Sequence, residues 1–375
     1  MSAHCEIARK ATLVEFPRVE TVSLKRERVR SAKAAFTTRN VQLRDAKTLV
    51  SDVRPRSGDL VLARVSQIGH QRRIEGPSGR RCQLYCGDEI IVVYGARYAP
   101  DQFEAVIPPD LRPCHLVAAG GLAGEVVTQH PLVRKATRIE PVGLLGDANG
   151  RVLNLRHYAI EEPAACDRRP TTIAIVGTSM NSGKTTTAAA LVHGLAAAGL
   201  KVGVAKLTGT GSGGDLWSAL DAGAATAIDF TDAGYPSTQG LPIVELEEAA
   251  SRLLRHLSIQ GHDILVVEIA DGLLQLETAE LLRSETLRGR VDAIIFAAVD
   301  AMGAMAGARW LTERNLPLIG LSGLVSASPL ARQEAIEATG LPVFSLAELA
   351  DPEFAPRLCL SADAAVAAKL ARCGR

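Results

Sequence analysis

The stretch 172–187 reads Thr-Ile-Ala-Ile-Val-Gly-Thr-Ser-Met-Asn-Ser-Gly-Lys-Thr-Thr-Thr, and it constrains this chain more than any other feature. A short apolar, β-branched run at Ile173–Val176 enters a loop opened by Gly177 and closed by Gly183. An alanine-rich helix over 186–198 follows and stops at Gly199. Strand, glycine loop and helix in that order form a phosphate cradle, because loop N–H groups and a helix N-terminus converge on one anion. Lys184 is then the cation for the β and γ phosphates, and the Thr185 hydroxyl is the ligand for Mg²⁺. A bare Gly-Lys-Thr triplet recurs by chance, so the flanking strand and helix carry the reading. The usual spacing puts glycine where Thr178 stands; Gly177 lies one residue earlier, which makes the loop one residue longer. The expected nucleotide contacts are Gly177, Thr178, Asn181, Ser182, Gly183, Lys184, Thr185 and Thr186.

The chain of 375 residues has room for two cores. No segment offers some eighteen uninterrupted apolar residues; the best, 293–308, is interrupted by Asp300. The first residues lack the apolar core of a signal peptide, so a cytoplasmic location and no membrane partner are expected. Seven scattered cysteines suit free thiols better than a disulfide framework. Cys82 and Cys86, with Cys114, His115 and His70, leave a loosely spaced zinc site as an alternative. Charge is unevenly spread: residues 1–170 hold 27 Lys/Arg against 19 Asp/Glu, and residues 171–375 hold 15 against 22. The halves either attract one another, or the basic half faces an acidic partner.

Four regions follow. Residues 1–40 form a basic arm, irregular or a short helix. Residues 41–160 are β-rich, with strands over 58–65 and 89–94 and a hairpin turning at Gly76–Gly79, as in a small barrel or sandwich of the OB or SH3 type. Residues 161–170 are a polar linker with two prolines. From 171 to 375 strands and helices alternate, with strands expected at 172–176, 201–206, 264–269, 292–298, 317–321 and 342–345. Helices are expected at 246–257, 303–314 and 328–339 among others. This pattern gives an α/β fold with a doubly wound, mainly parallel sheet, preceded by the smaller β domain.

In such a sheet the residues just past the strands build the site. Lys206 enters a Gly/Thr/Ser loop running to Asp215, which suits a second phosphate or a substrate carboxylate. Glu268 ends an apolar strand and is the candidate metal-holding acid, with Asp271 close behind. Asp229 is a further candidate for Mg²⁺; Asp232 and Asp300 share the same expected edge.

Together, the loop at Gly177–Thr186, Lys206 before Thr208-Gly209, and Glu268 before Asp271-Gly272 resemble the SIMIBI class of P-loop proteins. The nearest branch is that of the dethiobiotin synthetases, whose loop has the same extra residue. A related bacterial family, some of whose members are linked to amino-acid N-acyl transfer, shares the layout. The resemblance spans about 171–345. It implies that Lys184 and Thr185 bind phosphate and Mg²⁺, Lys206 the phosphates or substrate, and Glu268 the metal. It also implies a homodimer. The segment after Glu268 lacks the glycine-rich run of dethiobiotin synthetases, and no Asn-Lys-x-Asp guanine motif is present, so ATP is the expected nucleotide.

The leading expectation is an ATP- and Mg²⁺-dependent kinase or ligase acting on a small carboxylate or hydroxyl substrate, with Lys184, Lys206 and Glu268 as catalytic residues. Three alternatives stand beside it. A polynucleotide kinase-like enzyme would use Arg72, Arg73, Arg80, Arg81 and Arg97 with Tyr85, Tyr94 and Tyr98 to bind nucleic acid. An N-acyltransferase would hold coenzyme A on the loop. A non-catalytic binder would be gated by nucleotide.

Overall fold

The computed structural model describes residues 20–163 and 169–359. Residues 1–19 of the expected arm, and the middle of the expected linker, lie outside the described residues.

Residues 20–159 are organised around a mixed sheet. Strands Thr137–Gly146, Leu60–Gln67, Glu89–Tyr94, Leu122–Gln129 and Cys114–Ala118 pair in succession, and the last pairs back with the first, closing a five-stranded barrel. The sequences Leu60-Val-Leu-Ala63 and Ile90-Ile-Val-Val-Tyr94 are apolar without alternation because both faces of these strands are buried. Val61, Ala63, Ile90 and Val92 fill one face, while Leu60, Leu62, Ile91 and Val93 meet a second cluster that includes Leu24, Val29 and Val41. Each fully buried branched side chain of this kind contributes about 1.5–3 kcal/mol relative to exposure. Residues 20–40 are therefore not a separate arm. Glu20–Ser23 pairs with Thr48–Ser51, Lys33–Ala34 pairs with Glu89–Tyr94, and Phe36 is wholly buried.

From Thr171 a six-stranded parallel sheet runs in the order Thr226–Asp229, Val202–Thr208, Ile264–Ile269, Thr171–Gly177, Ala293–Ala297, Leu318–Ser322. Helices Lys184–Ala197, Gly214–Asp221 and Leu346–Ala350 cover one face. Ile243–Ile259, Leu276–Arg283, Ala301–Thr312 and Pro329–Thr339 cover the other. The doubly wound α/β fold stands as the sequence pattern indicated. Two details differ. Segment 342–345 contributes a single bridge, Val343 to Leu321, rather than a strand. Thr226–Asp229 is an edge strand that its short sequence, Thr-Ala-Ile-Asp, does not announce.

The halves are locked together by polar contacts. Arg39 of the β domain pairs with Asp229 at 3.0 Å and Asp232 at 2.5 Å, Asn40 donates to Asp232 at 2.6 Å, and Arg156 pairs with Glu245. Attraction between the oppositely charged halves is thus partly satisfied within the chain.

Candidate nucleotide site

Thr171–Gly177 lies between the strand ending near Glu268 and Ala293–Ala297, so its loop emerges at the middle of the sheet. Gly177 is required by space: a first side-chain carbon there would stand 2.3 Å from the Ser182 hydroxyl. Gly183 is required by conformation, with φ of 94°, and it precedes a helix that begins at Lys184 without a side-chain cap. The first N–H groups of that helix therefore point outward with no side-chain acceptor. Thr178 N–H donates to Ala297 O at 3.1 Å, Leu273 N–H to Gly177 O at 3.2 Å and Leu324 N–H to Ser182 O at 3.1 Å, pinning the loop from three sides. The hydroxyls of Thr178 and Ser182 are buried with no hydrogen-bond partner among the described residues. Thr186 Oγ1 donates to Gly183 O at 2.9 Å. Asn181 adopts a positive φ and donates from Nδ2 to Asp101 Oδ2 of the β domain at 2.9 Å.

Lys184 is buried and donates to the carbonyls of Ser179 at 2.8 Å and Asp271 at 2.6 Å. Burial lowers its pKa, against the pull of Glu268 and Asp271. Thr185 Oγ1 lies 2.9 Å from Asp215 Oδ1 and 3.3 Å from Glu268 Oε1. Lys206 forms an ion pair with the other oxygen of Asp215. Burial would lower Lys206 and raise Asp215, but their mutual attraction wins; Lys206 sits above its ordinary range and Asp215 below its own. Glu268 is pushed up to about 7, by burial first and the neighbouring Asp215 second. Asp271 is raised by burial as well. These groups line a pocket of about 390 Å³ together with Met180, Asn181 and Leu324.

Lys184, Thr185, Lys206 and Glu268 thus come together, as do the loop residues. Asp229 does not join them. It lies beside Lys206 on the strand beyond, two strands from Glu268, and its carboxylate accepts from Arg39 and from Thr231 N–H at 2.7 Å. Asp300 caps a helix, accepting from Gly303 N–H at 2.7 Å. Asp215 takes the position expected of Asp229. Its one sequence signal is an acid that follows a glycine run and opens a helix, nine residues after Lys206.

The Gly209–Gly214 loop also packs against the β domain. Its glycines admit the β domain: a side chain at residue 120 would meet Gly211 O at 2.1 Å, and one at residue 211 would meet Thr37 Cγ2 at 2.9 Å.

The oxygen set of Thr185, Asp215 and Glu268 suits Mg²⁺, which takes one or two carboxylates beside phosphate oxygens and water. Among the described residues no three His, Cys, Asp or Glu side chains are grouped to hold a metal by themselves, at Cys82, Cys86 and Cys114 or elsewhere. The residues proposed for nucleic acid are split: Tyr94 and Arg97 are buried, whereas Arg72, Arg73, Arg81 and Tyr85 are exposed. No helix of the described residues is long and apolar enough to cross a membrane.

No family model matches the chain, and no curated protein matches it. It is similar to the solved structure of signal recognition particle 54 kDa protein from Aeropyrum pernix K1 in complex with GDP, at 22% identity over 57% of this chain and 51% of that one, with a TM-score of 0.35. Chloroplast FtsY from Physcomitrella patens is similar at 20% identity over 51% and 63%, with a TM-score of 0.34. Signal recognition particle receptor FtsY from Elizabethkingia anophelis in complex with GDP is similar at 16% over 53% and 68%, with a TM-score of 0.35. The chain spans about half the length of the first of these. At these TM-scores the likeness is distant; the parallel strand order and the glycine loop identify the P-loop nucleotide-binding fold.

Proposed function

We propose that this protein is a P-loop enzyme of the SIMIBI type that uses a nucleoside triphosphate, ATP by preference, with Mg²⁺ to phosphorylate or activate a small carboxylate or hydroxyl substrate. The observation that carries the reading is the convergence of Lys184, Thr185, Lys206, Asp215 and Glu268 on one pocket at the ends of adjacent parallel strands.

Lys184 now donates to two backbone carbonyls, bonds that a β or γ phosphate oxygen replaces at little cost in geometry. The helix N-terminus at Lys184 adds partial positive charge to the same phosphates. Thr185, Asp215 and Glu268 would hold Mg²⁺, which when bound offsets phosphate charge. Lys206, kept charged by Asp215, stands next to Glu268 on the neighbouring strand and grips the transferring group or the acceptor. Asp271 lines the pocket with a carboxyl raised by burial and is placed to take the proton of a hydroxyl acceptor.

The test is calorimetric titration of wild-type protein and Lys184→Ala with ATP, GTP and coenzyme A in Mg²⁺. Micromolar ATP binding, lost in the variant, is expected. Coenzyme A binding without ATP would replace phosphoryl transfer by acyl transfer. Binding of none by the wild type refutes the reading.

A further inference from the structure

Among the described residues no cation of the β domain lines the pocket of Lys184 and Glu268, although Arg97 acts on Asp271 at its edge, and one β-domain carboxylate reaches the element that carries Asp215. Glu75 is 1% exposed, and its backbone N–H is fixed by Ala119 O at 2.8 Å. Its side chain accepts from Gly213 N–H at 3.2 Å, from Ser212 Oγ at 3.3 Å and from Trp217 Nε1 at 2.9 Å. All three donors belong to the first turn of the Gly214–Asp221 helix or to the residues just before it. No cation pairs with Glu75 among the described residues. A buried carboxylate without a counter-charge is costly, and three donors aimed at it offset that cost.

The packing around this contact is tight. Trp217 meets Phe36 edge-on at 6.1 Å between ring centroids. A side chain at residue 213 would come within 2.5 Å of Glu75 Oε1, and one at residue 79 within 2.7 Å of Trp217 Nε1. On the opposite side of the same turn, Asp215 holds Lys206 and lies 2.9 Å from the Thr185 hydroxyl.

We propose that Glu75 is a positioning residue for the P-loop site: it fixes the turn bearing Asp215, and through Asp215 it sets Lys206 and Thr185. The β domain is then a part of the nucleotide site rather than an appended module. This role rests on the P-loop reading for its purpose but not for its geometry.

The first measurement therefore uses no nucleotide. In the full chain, pulse acetylation with acetic anhydride, followed by mass spectrometry, gives the labelling rate of Lys206 relative to Lys201, a residue on the same domain outside the cluster. Glu75→Ala should raise that ratio about tenfold, because Asp215 no longer shields Lys206. Glu75→Gln, which retains one acceptor, should restore most of the protection. Asn40→Ala removes a different interdomain hydrogen bond and should leave the ratio unchanged. Should Glu75→Ala fail to fold, Trp217→Phe, which loses one donor but keeps a ring, should raise the ratio about twofold to threefold. An unchanged ratio in a folded Glu75→Ala or Trp217→Phe overturns the proposal, as does an equal rise in Asn40→Ala. Titration of Glu75→Ala with Mg-ATP then reads the functional link. Weakened binding supports it, and unchanged binding beside raised labelling confines Glu75 to apo geometry and overturns the functional part. Failure of the wild type to bind would instead strike the P-loop reading.

Discussion

Two buried charge clusters sit on neighbouring strands of the parallel sheet. One is Arg39 between Asp229 and Asp232; the other is Lys206 with Asp215 and Glu268, beside Lys184. In the first, Asn40, Thr231 and two backbone N–H groups supply additional donors, and a single guanidinium from the β domain ties the acids down. Burial pulls Arg39 down, but the two carboxylates outweigh it and hold it above its ordinary range. In the second, Thr185 is shared between two carboxylates, Lys184 rests on backbone carbonyls and Glu268 stays near neutrality. The first closes an interface, with every carboxylate oxygen except Asp229 Oδ2 hydrogen-bonded among the described residues. The second leaves groups that a phosphate and a cation would satisfy. Similar residue types become glue or site according to how completely their hydrogen bonds are met.

The comparison breaks most visibly at Arg39. Arg39→Ala leaves two buried acids without their cation and should cost about 3–5 kcal/mol in urea unfolding. A loss below about 1 kcal/mol would mean that the cluster is not glue. Next, Lys184→Ala should weaken Mg-ATP binding about a hundredfold by calorimetry while changing stability little. Equal losses of stability in the two variants would erase the distinction. Third, Gly120→Ala should destabilise by about 1–3 kcal/mol, since its methyl meets Gly211 O at 2.1 Å; thermal unfolding checks this.

The smallest effect is pH-dependent. Glu268 is raised from 4.5 to about 7 in the folded protein, so the folded state holds this proton more tightly than the unfolded one. Its contribution to stability is full below the unfolded value and is lost as pH rises through the folded one. Without nucleotide or metal, the Tm of wild type relative to Glu268→Gln should fall as pH rises from about 5 to about 8. A flat difference would place Glu268 in a more solvated setting than its burial implies.

Much of the parallel domain was legible because its signals are local. The apolar run before Gly177, the loop and the helix sit within one stretch of chain, and the expected strands 264–269 and 292–298 are close to Ile264–Ile269 and Ala293–Ala297. Lys184, Thr185, Lys206 and Glu268 were legible because residues at strand ends meet on one edge of such a sheet. Asp215 was hidden, since its meaning depends on a helix swinging back toward Thr185. Asp229 was misplaced for the converse reason: a strand-end acid looks the same in sequence whether it faces a pocket or an arginine from another domain.

The sequence by itself determined the glycine loop, the lysine that follows it, the alternating strands and helices and the barrel-forming apolar runs. All of these follow from backbone conformation and from side-chain periodicity over a few residues. Only the tertiary structure decided that Arg39 occupies Asp229, that Gly120 and Glu75 press on the Gly209–Gly214 loop, and that Asp215 pairs with Lys206. The reason is physical. Which carboxylate is left for a ligand depends on which cation and which donors reach it first, and those arrive from residues distant in sequence and adjacent only in space.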